Sequence, residues 1–276
     1  MASINRGWFE VTNPFNRKVS IVPATPDKVH TIVFWSKNFG LFLEKGYGEA
    51  LLDMGYHLFF NFTINSDSPL LEPNVPPLMA RIQQLTDLCD HYPIESINWR
   101  FDPICFFKTS DIQREIQNNL TDFQIIAQKA FQLGIRRCIT SFMDDYAKIR
   151  KRIASKPGFI FIDPSLEKKK AILIWMKKIL HTKKIELHTC CETEALKALP
   201  IDSGIVKSAC IPNDHLMKIY GGNLSLNEDT GQRTKRGCGC KISVDIGSYQ
   251  QHPCYHNCLF CYANPTSGKP DQKQID

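Results

Sequence analysis

No apolar stretch of about 18 residues occurs in this chain of 276, which argues against a membrane span and a membrane partner. The N-terminus, Met1-Ala-Ser-Ile-Asn-Arg-Gly-Trp8, lacks the charged-then-apolar layout of a secretory signal, so the expected location is the cytoplasm. A Gly-x-Gly-x-x-Gly run is missing too, and with it the fingerprint of a dinucleotide-binding fold. A large excess of one sign of charge is lacking as well, since 34 basic against 28 acidic residues leave a net charge of only +6. Basic residues bunch at Lys148 to Lys156, Lys168 to Lys170, Lys177 to Lys184 and Arg233 to Arg236, and read as solvated helix faces and loops. A nucleic-acid partner, the alternative, would need those charges on one face, interleaved with stacking aromatics.

What the chain does have is a hydrophobic fraction of 43% and a charged fraction of 22%, the balance of a globular protein. A chain this long buries most of the surface its unfolded form exposes and needs no disulfide staples. Its eleven cysteines therefore want another explanation, and in a reducing compartment that is metal binding or catalysis. Cys89, Cys105 and Cys138 sit in apolar, periodic segments and read as small buried hydrophobes. The other eight fall in the last third, at positions 190, 191, 210, 238, 240, 254, 258 and 261.

Strand and helix signals alternate through most of the sequence. Strands are expected at Thr31 to Trp35, Tyr56 to Ile64, Ser96 to Arg100, Ile135 to Phe142, Ile185 to Thr189 and Ile205 to Cys210. Helices are expected over Leu41 to Met54, Leu78 to Leu88, Leu120 to Leu133, Lys168 to Leu180 and Thr193 to Leu199. This is an α/β chain with a parallel sheet, and a complete or partial parallel (β/α) barrel is preferred to an open doubly wound sheet. From Pro212 the periodicity fails, so residues 1–211 form the barrel-like domain. Residues 212–276 are a cysteine-rich loop and cluster-binding segment packed on the barrel mouth.

Parallel α/β architecture gathers functional residues past the C-terminal ends of the strands. Those positions hold Lys37, Asn38, Thr63, Asn65, Arg100, Asp102, Ser141, Asp144, Cys190, Cys191, Glu192 and Cys210, of which Asn38 and Asp144 read as capping or turn residues. Arg100 beside Asp102 stands out, because a strand-borne charge at a barrel mouth is costly unless paired or used. Arg100, Asp102 and Lys37 are the candidates for the catalytic side of that mouth.

Cys254, Cys258 and Cys261 follow the spacing Cys-x3-Cys-x2-Cys. Three thiolates in one tight loop suit a 4Fe–4S cubane better than a structural zinc site, which wants four ligands, usually as two pairs. A zinc ribbon of Cys238, Cys240, Cys254 and either Cys258 or Cys261 is the competing reading. The spacing, with Phe260 before the last cysteine, resembles the radical S-adenosylmethionine (SAM) signature, though that signature usually lies near the N-terminus. The likeness implies SAM bound at the open iron, its reductive cleavage, an unknown substrate, and an electron donor of the flavodoxin or ferredoxin type.

Wider markers run along the chain. They are Asn13-Pro-Phe-Asn16, Phe34-Trp-Ser-Lys-Asn38, Glu72-Pro-Asn-Val-Pro76, Trp99-Arg-Phe-Asp-Pro103, Gln232-Arg233, Cys238-Gly-Cys240, Asp245-Ile-Gly-Ser-Tyr249 and Cys258-Leu-Phe-Cys-Tyr-Ala-Asn264. Together they resemble the bacterial domain of unknown function 1848 family over nearly the whole chain. Its members are loosely labelled as similar to DNA repair photolyases of the spore photoproduct lyase kind, an analogy that names no substrate. Family members open on a strand carrying Ser-Arg-Arg-Thr-Asp-Ile-Pro, followed by a helix. Here Met1 stands inside that helix (Ile4 to Phe9), so the first strand is expected to be missing.

The remaining cysteines then take a reading of their own. Cys190 and Cys210 follow adjacent strands, and with Cys238 and Cys240 they could hold a second iron–sulfur cluster or zinc. Alternatively Cys190 and Cys210 are buried strand residues. Cys191 is expected to point to the opposite side from Cys190 and to serve in packing. Asp245 and Tyr249 are expected to shape the cluster loop, and Tyr262 to stack near the adenine of SAM. His252 and His256 read as hydrogen-bonded surface groups.

Overall fold

The computed structural model of the chain describes residues 1–13, 16–110, 115–231, 237–248 and 252–263. Its N-terminal part is a short helix α1 (Ala2–Arg6) and an antiparallel pair, β1 (Trp8–Thr12) with β2 (Val19–Pro23). The helix expected to reach Phe9 stops at Arg6. Gly7, at φ 82°, ends it in the left-handed conformation that glycine adopts without strain, and Trp8 and Phe9 begin a strand.

The body then alternates in order. It runs β3 (Ile32–Ser36), α2 (Gly40–Glu44), α3 (Tyr47–Asp53), β4 (Leu58–Thr63), α4 (Leu78–His91) and β5 (Ile97–Ile104). Next come β6 (Phe106–Lys108), β7 (Gln117–Asn118), α5 (Phe123–Gln132), β8 (Arg137–Phe142), α6 (Ala147–Ile153) and β9 (Ile160–Phe161). It ends with α7 (Leu166–His181), β10 (Glu186–Thr189), α8 (Thr193–Ala198), β11 (Val206–Lys207) and α9 (Asn213–Tyr220).

The six expected strands are the parallel neighbours of one sheet, ordered β3-β4-β5-β8-β10-β11. That order follows the chain, so every helical crossover steps in the same direction. A doubly wound sheet would reverse at a switch point. No ladder joins β3 to β11 among the described residues, so the sheet is wound as barrels are wound but is not closed by hydrogen bonds.

Alternation along each strand sorts the two faces. Leu58, Phe60 and Phe62 of β4, Ile97, Trp99 and Phe101 of β5 and Leu187 of β10 enter the core beneath the helices. Each such side chain, fully buried, contributes about 1.5–3 kcal/mol. Trp99 stacks on Phe123 of α5 at 5.4 Å between ring centres, and its indole N–H donates to the Ile64 carbonyl at 3.0 Å.

The opposite face is polar and just as buried. Asn98 donates to Asn61 at 3.1 Å, Asn61 donates to the Cys210 carbonyl at 3.0 Å, and Arg100 lies one step further along β5. Helix α9 lies under this face, toward the N-terminal ends of the strands. His215 bonds the Glu95 carbonyl, and Tyr220 donates to the Leu58 carbonyl while stacking flat on His57 at 4.3 Å.

Besides the β1–β2 pair and helix α6, three features were not expected from the sequence. Helix α9 occupies part of the stretch read as loop after Pro212. The expected helix from Leu41 to Met54 is two, broken at Gly46 (φ 61°). Strands β6, β7 and β9 form a small antiparallel sheet beyond the end of β5. Among the described residues no helix is long and apolar enough to cross a membrane.

Candidate metal centre

Strand β10 ends at Thr189, and Cys190 continues it with its N–H on the Thr140 carbonyl. Cys191 then takes φ 62°, a left-handed backbone conformation that non-glycine residues adopt rarely and mostly at functional sites. That turn cancels strand alternation. The Cys191 sulfur, expected on the far side, comes to 3.6 Å from the Cys190 sulfur, too far for a disulfide. Cys238 joins them from the C-terminal segment, and the three sulfurs all lie within 4.8 Å of one another.

Cys210 and Cys240 pack against this trio with Ile139 and Ile211. Round the ring of neighbours, Cys190 touches Cys210, Cys210 touches Cys240, and Cys240 touches Cys238. The turn carrying Cys238 and Cys240 is pressed onto the end of β11. A Cβ on Gly239 would stand 2.5 Å from the Ser208 carbonyl oxygen, so only glycine fits there. The protons in this ring are shared unevenly. Hydrogen bonds from Cys190 and Cys240, then the charge of Arg100, hold the Cys210 thiol far below its ordinary range. Hydrogen bonds from Cys190 and Cys191 do the same for Cys238, while Cys190 and Cys240 are pushed up. Buried, mutually close thiols of this kind are the donor set that soft ions or iron–sulfur clusters take.

The second cysteine group is a loop. Cys258, Leu259 and Phe260 are buried against Leu71, Cys105, Phe107, Met143, Ile149 and Phe159, so the small antiparallel sheet is part of their seat. The loop is tied to the connection between β4 and α4: Leu259 N–H donates to the Leu71 carbonyl at 2.9 Å, and Asn74 donates to the Tyr255 carbonyl at 2.7 Å. That connection is anchored by Arg81, 1% exposed, which bonds Asp67 at 2.6 Å and the Asn65 carbonyl at 2.9 Å. Burial pushes the Cys258 thiol up to about 12 and also raises Cys254. Cys254, Cys258 and Cys261 do not meet the 4.8 Å spacing of the first trio.

Between the two groups runs a line of paired charges. Arg100 donates to the Cys210 sulfur at 2.9 Å and to Asp102 at 2.5 Å. Asp102 also accepts from Ser141, and its N–H donates to Asn65 at 2.8 Å. Asn65 donates to Glu72 at 2.9 Å, and Lys37 donates to Glu72 at 2.6 Å. The Lys37 ammonium lies 5.1 Å from the centre of the Phe260 ring. Thus Lys37, Arg100 and Asp102, separate in sequence, form one network that reaches from one cysteine group to the other.

The family model for the domain of unknown function DUF1848 matches residues 1–263. The chain belongs to the DUF1848 family. No curated protein and no solved structure matches it.

For this DUF1848 chain the remaining expected site residues are scattered. Tyr262 is half exposed and its ring lies tilted by 30° against Tyr146, 4.8 Å between centres, beside the cysteine loop. Asp245 is exposed and accepts from the Gly247 N–H at 2.8 Å, an ordinary turn bond. Tyr249 lies outside the described residues. Sequence reasoning named Glu72 only within a family marker, whereas it is 5% exposed and gripped by Lys37 and Asn65. It also named Glu192 only as a strand-end position, whereas Glu192 accepts from the Phe142 N–H at 2.8 Å and burial raises it to about 7. A lone acid in a proline-rich loop gives no periodic signal.

Proposed function

We propose that this chain is an iron–sulfur protein of the radical SAM type acting on a substrate still to be identified. Cys254, Cys258 and Cys261 would hold a 4Fe–4S cluster, and a second metal would sit at the Cys190 group. The cluster, when bound, supplies the electron that cleaves SAM. The observation that carries this reading is the seat of the cysteine loop. It lies beyond the C-terminal ends of a parallel sheet wound in chain order, where such folds place their chemistry.

Three thiols rather than four leave one iron for SAM. Cys105, the nearby fourth cysteine, turns its sulfur to the Pro103 carbonyl at 3.8 Å, and burial holds its thiol well above the ordinary range. Lys37, Arg100 and Asp102 would face SAM or substrate, oriented by Glu72, Asn65 and Ser141. Tyr262, beside Tyr146, offers a ring for the adenine, while Asp245 would shape the neighbouring loop. In this reading the six-stranded sheet is a partial (β/α) barrel, and the described residues after Pro212, with helix α9 and the two cysteine segments, cover its inner face and mouth.

The experiment is anaerobic purification followed by incubation with dithionite and SAM. The protein should be brown, with iron and sulfide in near-equal amounts, and should release 5′-deoxyadenosine. A colourless protein containing only zinc would overturn the proposal and leave a metal-binding protein without this catalysis.

A further inference from the structure

The five-thiol group holds more sulfurs than one tetrahedral ion needs, and three of them stand closer together than a cluster requires. Around a zinc ion with bonds near 2.3 Å, tetrahedral geometry places neighbouring sulfurs about 3.8 Å apart. Cys190 and Cys191 stand at 3.6 Å, and Cys238 completes a trio within 4.8 Å. An iron–sulfur cubane, with its iron and sulfide core between the ligands, would hold these sulfurs further apart.

We infer that Cys190, Cys191, Cys238 and Cys240 form a mononuclear tetrathiolate site for a zinc-class ion, with Cys191 as a ligand and with Cys210 and Arg100 bracing it from outside. The left-handed turn at Cys191 is what delivers two sulfurs from consecutive residues to one side. The Cys238-Gly239-Cys240 turn, which has room for no side chain at its centre, delivers Cys238 to the trio and keeps Cys240, outside the 4.8 Å grouping, beside Cys238 as the fourth ligand. Cys240 accepts the Cys210 N–H at 3.3 Å, the kind of backbone bond that favours a thiolate. Cys210 is the outer member because Arg100 already holds its sulfur at 2.9 Å. A dianionic zinc tetrathiolate buried here would have Arg100, 9% exposed, as its adjoining positive charge. The site would staple β10, the end of β11 and the C-terminal segment together beside the mouth, independently of any SAM chemistry.

The test uses the full chain with Cys254, Cys258 and Cys261 replaced by Ala, so that the loop cannot bind iron. Titration with cobalt(II) under anaerobic conditions should give one ion per chain and the visible bands of a tetrahedral tetrathiolate. Cys191→Gly suits the positive φ and removes only the sulfur. It should lower the thiolate-to-cobalt charge-transfer intensity by about a quarter. Binding should weaken by more than the roughly 10–100-fold that an outer-shell change costs. Cys210→Ala should weaken binding within that range and keep the four-thiolate spectrum. Circular dichroism checks the fold first, and Cys191→Ser replaces the glycine variant if that fails to fold. An unchanged cobalt spectrum and affinity in the Cys191 variant would overturn the assignment. So would uptake of equal iron and sulfide by the loop-deficient chain. Neither result bears on SAM cleavage by the intact loop, so the two proposals fail separately.

Discussion

Cys254, Cys258 and Cys261 come from one loop, whereas Cys190, Cys191, Cys210, Cys238 and Cys240 come from two strand ends and a separate turn. The loop owes its position to contacts outside itself, with Leu71, Asn74 and the small antiparallel sheet. The second group owes its position to the main sheet, because Cys190 continues β10, Cys210 follows shortly after β11, and the Cys238–Cys240 turn is pressed onto the end of β11. A site built on sheet ends is as rigid as the sheet, while a docked loop can keep a coordination position open. The difference matches the division proposed here, a staple in one place and a reactive centre in the other.

The largest expected effect separates the two groups outright. Cys258→Ala should abolish production of 5′-deoxyadenosine, since each thiolate anchors one iron and the loop has none to spare. The same variant should still bind cobalt(II) with wild-type affinity at the Cys190 group. Normal SAM cleavage by Cys258→Ala would break the comparison.

Next in size is the charge line joining the groups. Arg100→Met leaves Asp102 and the Cys210 sulfur without their cation, and removing one partner of a buried pair costs about 3–5 kcal/mol. Urea unfolding should show the loss, with the lower end expected because Asp102 keeps Ser141 and Asn65. A change below about 1 kcal/mol, the worth of an exposed pair, would mean that the line is solvated.

An acid limb sharpens the account of the sheet's inner face. Burial, then the charge of Arg137, lowers His188 to about 4. Its folded value lies below the unfolded one, so stability is complete above about pH 6.5 and falls as the pH drops toward 4. The loss attributable to His188 is about 3 kcal/mol over that window. His188→Gln should flatten this limb in urea denaturation measured from pH 7 to pH 4. An equally steep limb in the variant would place the protonating group elsewhere.

The smallest effect is steric. Gly239→Ala sets a Cβ against the Ser208 carbonyl oxygen and should cost about 1–3 kcal/mol. Cobalt affinity should fall with it, while SAM cleavage persists. An unperturbed melting curve and affinity would show that the turn has slack.

The same comparison shows what the sequence can tell. Runs such as Tyr56 to Ile64 are long, apolar and end in polar residues, so the six parallel strands and their neighbours were legible, as was the spacing of the three loop cysteines. The strands of the small sheet, such as Gln117–Asn118 and Ile160–Phe161, are too short to carry a period, and that sheet was missed. Helix α9 was missed because its eight residues make only about two turns, too short for Leu216, Met217 and Ile219 to show a period. Cys191 was misplaced because strand alternation was carried one residue too far, past a backbone turn that no residue type announces. The bonds between Asn74 and the loop at Tyr255 and His256 span over 180 positions, and nothing local encodes them.

Metal and sulfide content, measured side by side on anaerobically purified wild type and Cys258→Ala, tests the division between the two groups most directly. The wild type should carry iron and sulfide in near-equal amounts, about four of each, with one zinc. Cys258→Ala should lose the iron and sulfide and retain the zinc. Retention of the full iron and sulfide complement by Cys258→Ala, or loss of zinc along with them, would contradict it.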